Sequence, residues 1–142
     1  MFSTGDVAHG CGHAPRTVYK GIRTTGADFI TNDYHRPNVT IQTDTTVDHI
    51  ALEEGTDGLR ATGAVTRLAD GTTRTFHARK EVVISSGAYC SPAVLMRSGI
   101  GAREELAKFD IPCRLDLPGV GKNLMDHLVS EALYKIQGYN LH

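Results

Sequence analysis

The residues best placed to do chemistry lie in one run, Gly87-Ala88-Tyr89-Cys90-Ser91-Pro92-Ala93-Val94-Leu95-Met96-Arg97-Ser98-Gly99-Ile100-Gly101. It follows closely on the apolar triplet Val82-Val83-Ile84. An apolar strand that breaks at a glycine and opens a helix is where α/β folds bind ligands. The strand end, Ile84-Ser85-Ser86-Gly87-Ala88, is built of small residues. Backbone N–H groups there, and at a helix start near Ser91, can meet a phosphate, a ribose or a base edge. The same small residues also let a helix and a strand pack closely with no ligand at all. On spacing alone both readings stay open.

Three other groups invite a chemical reading. His9-Gly10-Cys11-Gly12-His13 places three metal-ligand types within a short span. Zinc needs a fourth ligand and fixed geometry, which this glycine-rich stretch does not offer, so no metal site is expected. Asp126-His127 has the residue types of an acid–base pair, but neighbours on a strand point to opposite faces. Cys90 sits near a helix start, where a thiol becomes more acidic. Its expected role is that of a small, partly buried packing residue. No catalytic residue is assigned within this chain.

The bulk properties bound the rest. The 142 residues are enough for one domain with a moderate core. A composition of 40% hydrophobic and 22% charged residues is that of an ordinary globular protein. A net charge of −1 gives no electrostatic case for nucleic acid or an acidic membrane surface. No apolar run approaches the roughly 18 residues of a membrane-spanning helix. Cys11, Cys90 and Cys113 are few and odd in number, which argues against a disulfide framework. Met1 to Asp6 has neither a basic nor an apolar leader region, so no secretory signal is read there. If Met1 is the true start, the cytoplasm is the expected location.

The elements that must position these groups follow from periodicity. Residues 1–16, rich in Gly and His, read as a flexible lead-in. Thr17 to Asn32 carries a modest helical pattern on Val18, Ile22, Phe29 and Ile30, weakened by Gly21 and Gly26. Arg36-Pro37-Asn38 ends it. Asn38 to Thr43 and Thr45 to Leu52 read as strands, followed by a polar turn over Glu53 to Gly58. Ala61 to Leu68 and Thr72 to Ala78 read as strands joined at Ala69-Asp70-Gly71, where a tight hairpin wants positive φ. Lys80 to Ser85 reads as a strand buried on both faces, as in a parallel sheet. Ser91 is placed to cap the next helix with Pro92 at its first position, and Gly99 to stop it. Arg103 to Phe109 reads as a short helix, Ile111 to Leu117 as a strand, and Pro118 to Asn123 as a tight turn. Leu128 to Ile136 reads as a further strand.

The Gly87–Gly101 run resembles the second signature of the glucose–methanol–choline (GMC) family of flavin oxidoreductases. That signature is Gly-Ala, two variable residues, Ser-Pro, a variable residue, two aliphatics, two variable residues, then Ser-Gly-aliphatic-Gly. Gly87-Ala88, Ser91-Pro92, Val94-Leu95 and Ser98-Gly99-Ile100-Gly101 meet every fixed position. Arg36-Pro37-Asn38-Val39-Thr40-Ile41 is similar to the family's Arg-Pro-Asn-aliphatic strand. Asp116-Leu117-Pro118-Gly119-Val120-Gly121-Lys122-Asn123-Leu124-Met125-Asp126-His127 is similar to its Leu-Pro-Gly-Val-Gly turn. The resemblance covers roughly residues 17–136.

This resemblance implies a mixed α/β fold: part of a Rossmann-like FAD-binding domain with a β-hairpin meander, running into an antiparallel substrate domain. The implied boundaries are 17–127 for the FAD-binding part and 128–142 for the start of the substrate domain. It implies FAD as cofactor and a small-molecule alcohol as substrate, its hydride passing to flavin N5, with oxygen or another acceptor downstream. It assigns Val47 to the adenine edge, and Ser86 and Gly87 to the adenosine part of FAD. For Val47 a strand edge, with one donor and one acceptor, suits that task. The family's Gly-x-Gly-x-x-Gly loop and its catalytic histidine have no match here; Gly10-Cys11-Gly12 lacks both a preceding strand and the third glycine. The chain is therefore expected to be a middle slice of the family's sequence that neither holds FAD firmly nor oxidises alcohols by itself. The competing expectation is a degenerate, non-catalytic product that serves as an interaction module.

Overall fold

The computed structural model describes residues 17–28, 37–126 and 128. The expected lead-in, the later part of the 17–32 helix, the metal-ligand types at His9, Cys11 and His13, His127, and most of the expected 128–136 strand lie outside them. The contacts divide the chain into residues 1–41 and 42–142.

In the first unit the expected helix gives way to a hairpin. Strand β1 (Val18–Tyr19) pairs antiparallel with β2 (Ile22–Arg23). The loop residues Lys20 and Gly21 both have positive φ, 49° and 77°. That is the backbone a two-residue hairpin turn requires, so Gly21 makes a turn where the helical reading saw only a weak position. Thr17 and Thr24 close the hairpin: the Thr24 N–H and the Thr17 hydroxyl each donate to the other residue's carbonyl, at 2.8 and 2.7 Å. The strand expected at Asn38–Thr43 is also absent. Residues 39–43 pair with nothing among the described residues, and Val39 and Ile41 are exposed.

The second unit is built on an antiparallel meander of β3 (Thr45–Gly55), β4 (Gly58–Leu68) and β5 (Thr73–His77), in that order. β3 and β4 run through Glu53 and Glu54, so the turn narrows to Thr56-Asp57. The Ala69-Asp70-Gly71 turn forms as expected. The Gly71 N–H donates to the Leu68 carbonyl, and both the N–H and hydroxyl of Thr72 donate to the Asp70 carboxylate. Gly63 in the central strand is small for a reason: a Cβ there would strike the Phe76 carbonyl of β5. The register of β3 slips between Val47 and His49, a bulge with Asp48 as the extra residue.

Residues 80–85 form no strand, contrary to expectation. A strand is defined by its partner, and none is present among the described residues; Val83 is 75% exposed. Helix α1 follows over Gly87–Arg97. Ser91 and Pro92 therefore lie inside it rather than at its start. Ser91 still serves the helix mouth, because its hydroxyl accepts the Ser86 N–H at 3.0 Å. Cys90 is exposed, not packed. Gly99, at φ 82°, stops the helix as expected. Its N–H donates to the Met96 carbonyl, and a Cβ would meet the Pro112 carbonyl at 2.5 Å.

Beyond it, β6 (Ile100–Gly101) pairs in parallel with β7 (Leu115–Asp116) around helix α2 (Arg103–Ala107). Asp116 accepts the Arg103 N–H and so caps α2 from β7. The Pro118–Asn123 segment is a tight turn as read, with the Val120 and Lys122 N–H groups donating to the Leu117 and Gly119 carbonyls. Among the described residues the buried apolar side chains are Ile50, Val94 and Leu106. Val94 and Ser98, one helical turn apart, are both buried, and Ser98 bonds directly to β3. No described helix is long and apolar enough to cross a membrane.

Candidate functional site

Ser86 and Gly87 stand at the mouth of α1. Gly87 has φ 85°, and among the described residues a Cβ built there meets no atom within 4 Å. The mouth is thus shaped by a conformation that favours glycine and opens onto free space. Ser86 is exposed, and its N–H is engaged by Ser91.

Val47 lies on β3, opposite Thr66 of β4. Thr66 is buried, and its hydroxyl donates to the Arg74 carbonyl at 2.8 Å. The outer edge of β3 faces the end of α1. Arg97 donates from Nε to the Asp48 carbonyl at 2.6 Å and from Nη2 to the Val47 carbonyl at 3.3 Å. The Ile50 N–H donates to the Ser98 hydroxyl at 2.7 Å, which in turn donates to the Val94 carbonyl at 2.7 Å. Val47 is therefore tied to the last turn of α1, and Ser86 and Gly87 to its first. An 11-residue helix spans about 16 Å, so the three positions form two panels joined by one helix.

Charge at the Val47 panel is ordered around Asp48. His49 Nδ1 lies 2.8 Å from one Asp48 oxygen, and Arg97 Nε lies 3.7 Å from the other. The hydrogen bond to His49 holds the Asp48 carboxyl below the usual aspartate range, helped by the charges of His49, Arg97 and Arg67 and opposed by partial burial. None of these partners is marked by a motif. Arg97 in a last helical turn reads from sequence as an ordinary dipole-compensating base. Only the bulge beside it brings two successive carbonyls to one guanidinium.

Along α1 from Ala88 onward, a groove of about 490 Å³ runs between the helix and the loop after the Pro118 turn. Tyr89, Pro92, Met96, Leu124 and Met125 line it. The turn is held by Lys122, which bonds Glu105 of α2 at 3.3 Å, while Lys108 bonds the other Glu105 oxygen at 2.8 Å. Among the described residues no cluster of His, Cys, Asp and Glu could hold a metal ion.

Comparison with known proteins adds identity to this geometry. Residues 3–129 match the family model of the GMC oxidoreductases. The chain is 45% identical over 122 residues to an oxygen-dependent choline dehydrogenase of Escherichia coli, covering 84% of this chain and 21% of that protein. It is 46% identical over 121 residues to the Burkholderia multivorans protein of the same name, covering 84% and 20%. A crystal structure of formate oxidase superposes with a TM-score of 0.70 at 34% identity, over 78% of this chain and 18% of that one. A variant of the Aspergillus oryzae formate oxidase, studied for its effect on FAD modification, gives the same TM-score. The chain thus spans about a fifth of the length of these relatives. The mixed α/β architecture is that of a Rossmann-like, FAD-binding GMC segment.

Proposed function

This chain belongs to the GMC oxidoreductase family, and from that premise we propose that it supplies the adenosine-binding panels of an FAD-dependent enzyme that oxidises a CH–OH donor. The observation that carries the reading is the mouth of α1. Gly87 gives a left-handed backbone beside Ser86, and among the described residues nothing lies within 4 Å of the place a Cβ would take, which leaves room for a ribose or base. Val47 offers the second panel, a strand edge held in place by the end of the same helix. When bound, FAD supplies a two-electron acceptor for the hydride of the donor. On this reading the chain's own residues bind and orient, and no catalytic residue is assigned among the described ones.

The donor class rests on the relatives. Two are named as choline dehydrogenases, and choline is an alcohol. Formate, in the name of the structural neighbour, has no CH–OH group, and that neighbour is less similar at 34% identity. The alcohol reading is therefore preferred. On this reading the 142 residues alone bind FAD weakly and do not reduce a dye when an alcohol is added.

Saturation-transfer NMR of FAD with the full chain tests the assignment. Adenine protons are expected to receive saturation while isoalloxazine protons stay dark. Saturation of the isoalloxazine ring instead would overturn it, as would alcohol-dependent dye reduction by the chain alone.

A further inference from the structure

We infer that Arg97 is a positioning residue for the adenine edge: its guanidinium fixes the bulge at Val47-Asp48 in the form that presents Val47 to the base. This rests on the adenosine-site reading above and adds a residue to it.

A regular strand points successive carbonyls to opposite edges. Here the Val47 and Asp48 carbonyls both reach one guanidinium, at 3.3 and 2.6 Å. The bulge between Val47 and His49 breaks the alternation and turns both to the same side. β3 is an edge strand among the described residues, so its outer edge meets no further strand there. Arg97 satisfies the two carbonyls from a helix about 50 residues away in sequence. Ser98 takes the Ile50 N–H next along the same edge. The Asp48 carboxylate, 3.7 Å from Arg97 Nε, holds the guanidinium in this pose. A planar fork can span two carbonyls, whereas a lysine ammonium is a point donor on a flexible stem. Each carbonyl has two lone pairs, so the Val47 oxygen can accept from Arg97 and still accept from an adenine amine.

The test compares the full chain with Arg97→Met and Arg97→Lys. Backbone carbonyl ¹³C signals of Val47 and Asp48 are followed without ligand, and the ADP dissociation constant is then measured. Both variants are expected to move those two carbonyl signals and weaken ADP about tenfold, with lysine giving no rescue. Unchanged ADP affinity in Arg97→Met, or full affinity in Arg97→Lys, would overturn the inference. Should Arg97→Met fail to fold, Arg97→Lys, which keeps the charge and most of the stem, carries the test. If the unaltered chain shows no ADP response at Val47, the adenosine-site reading itself falls. That result is distinguishable, because it appears before any substitution is made.

Discussion

The meander over Thr45–His77 and the segment over Lys80–Ser86 are both rich in β-branched residues, yet only the first forms strands. In the meander each strand's partner is the next stretch of chain, joined by a short turn. Its one edge beside α1 is then closed by Arg97 and Ser98. The 80–86 segment has the unbroken Val82-Val83-Ile84 run of a parallel strand, whose partners come from a distance. Apolar pattern states what a segment can do; the presence of a partner decides whether it does. The difference also separates the two panels of the candidate site. Val47 is braced by its own sheet, whereas among the described residues Ser86 is held from within the helix it opens, by Ser91.

This contrast can be broken by substitution. Ile50→Ala removes a buried side chain from the braced region and is expected to cost about 2–5 kcal/mol in urea unfolding. A cost below about 1 kcal/mol would mean that the β3–α1 contact is not a core. Gly63→Ala should come next, at about 1–3 kcal/mol, since the new methyl meets the Phe76 carbonyl and forces β4 and β5 apart. Val83→Ala should lie within about 0.5 kcal/mol of the parent, because Val83 is mostly exposed. A cost matching that of Ile50→Ala would show Val83 to be covered, and the contrast would vanish.

The smallest effect is on pH. Asp48 and Glu105 both titrate below their ordinary ranges. For Asp48 the main cause is the hydrogen bond to His49; for Glu105 it is the hydrogen bond to Lys108, then that to Lys122. A carboxyl depressed on folding contributes stability that is present above its unfolded value and lost as pH falls through its folded one. Stability is therefore expected to decline below about pH 4, with added salt shrinking the effect because both groups meet solvent. Asp48→Asn and Glu105→Gln should each flatten part of that decline in acid-unfolding curves. Unchanged curves would show that neither ion pair contributes.

The meander was legible from sequence because period-two alternation and an Asp-Gly turn are local signals. The hairpin at Thr17–Thr24 was not. Val18 and Ile22 also fit helical spacing, and Lys20-Gly21 is a less familiar turn pair than Asn-Gly. Ser91 and Pro92 suggested a helix start five residues late, because the helix opens instead at the positive-φ Gly87. The candidate site divided in the same way. Val47, Ser86 and Gly87 are proposed on an ordered set of motifs. Arg97 was not legible, since its partners are main-chain carbonyls about 50 residues away, exposed to it by a bulge that no residue type announces.

Amide chemical-shift mapping of the full chain with ADP tests the central claim most directly. Shifts are expected at Val47, Ser86 and Gly87 together, at both ends of α1, with the groove side chains of Pro92, Leu124 and Met125 unmoved. Shifts confined to that groove, or none at Val47 and Gly87, would contradict it.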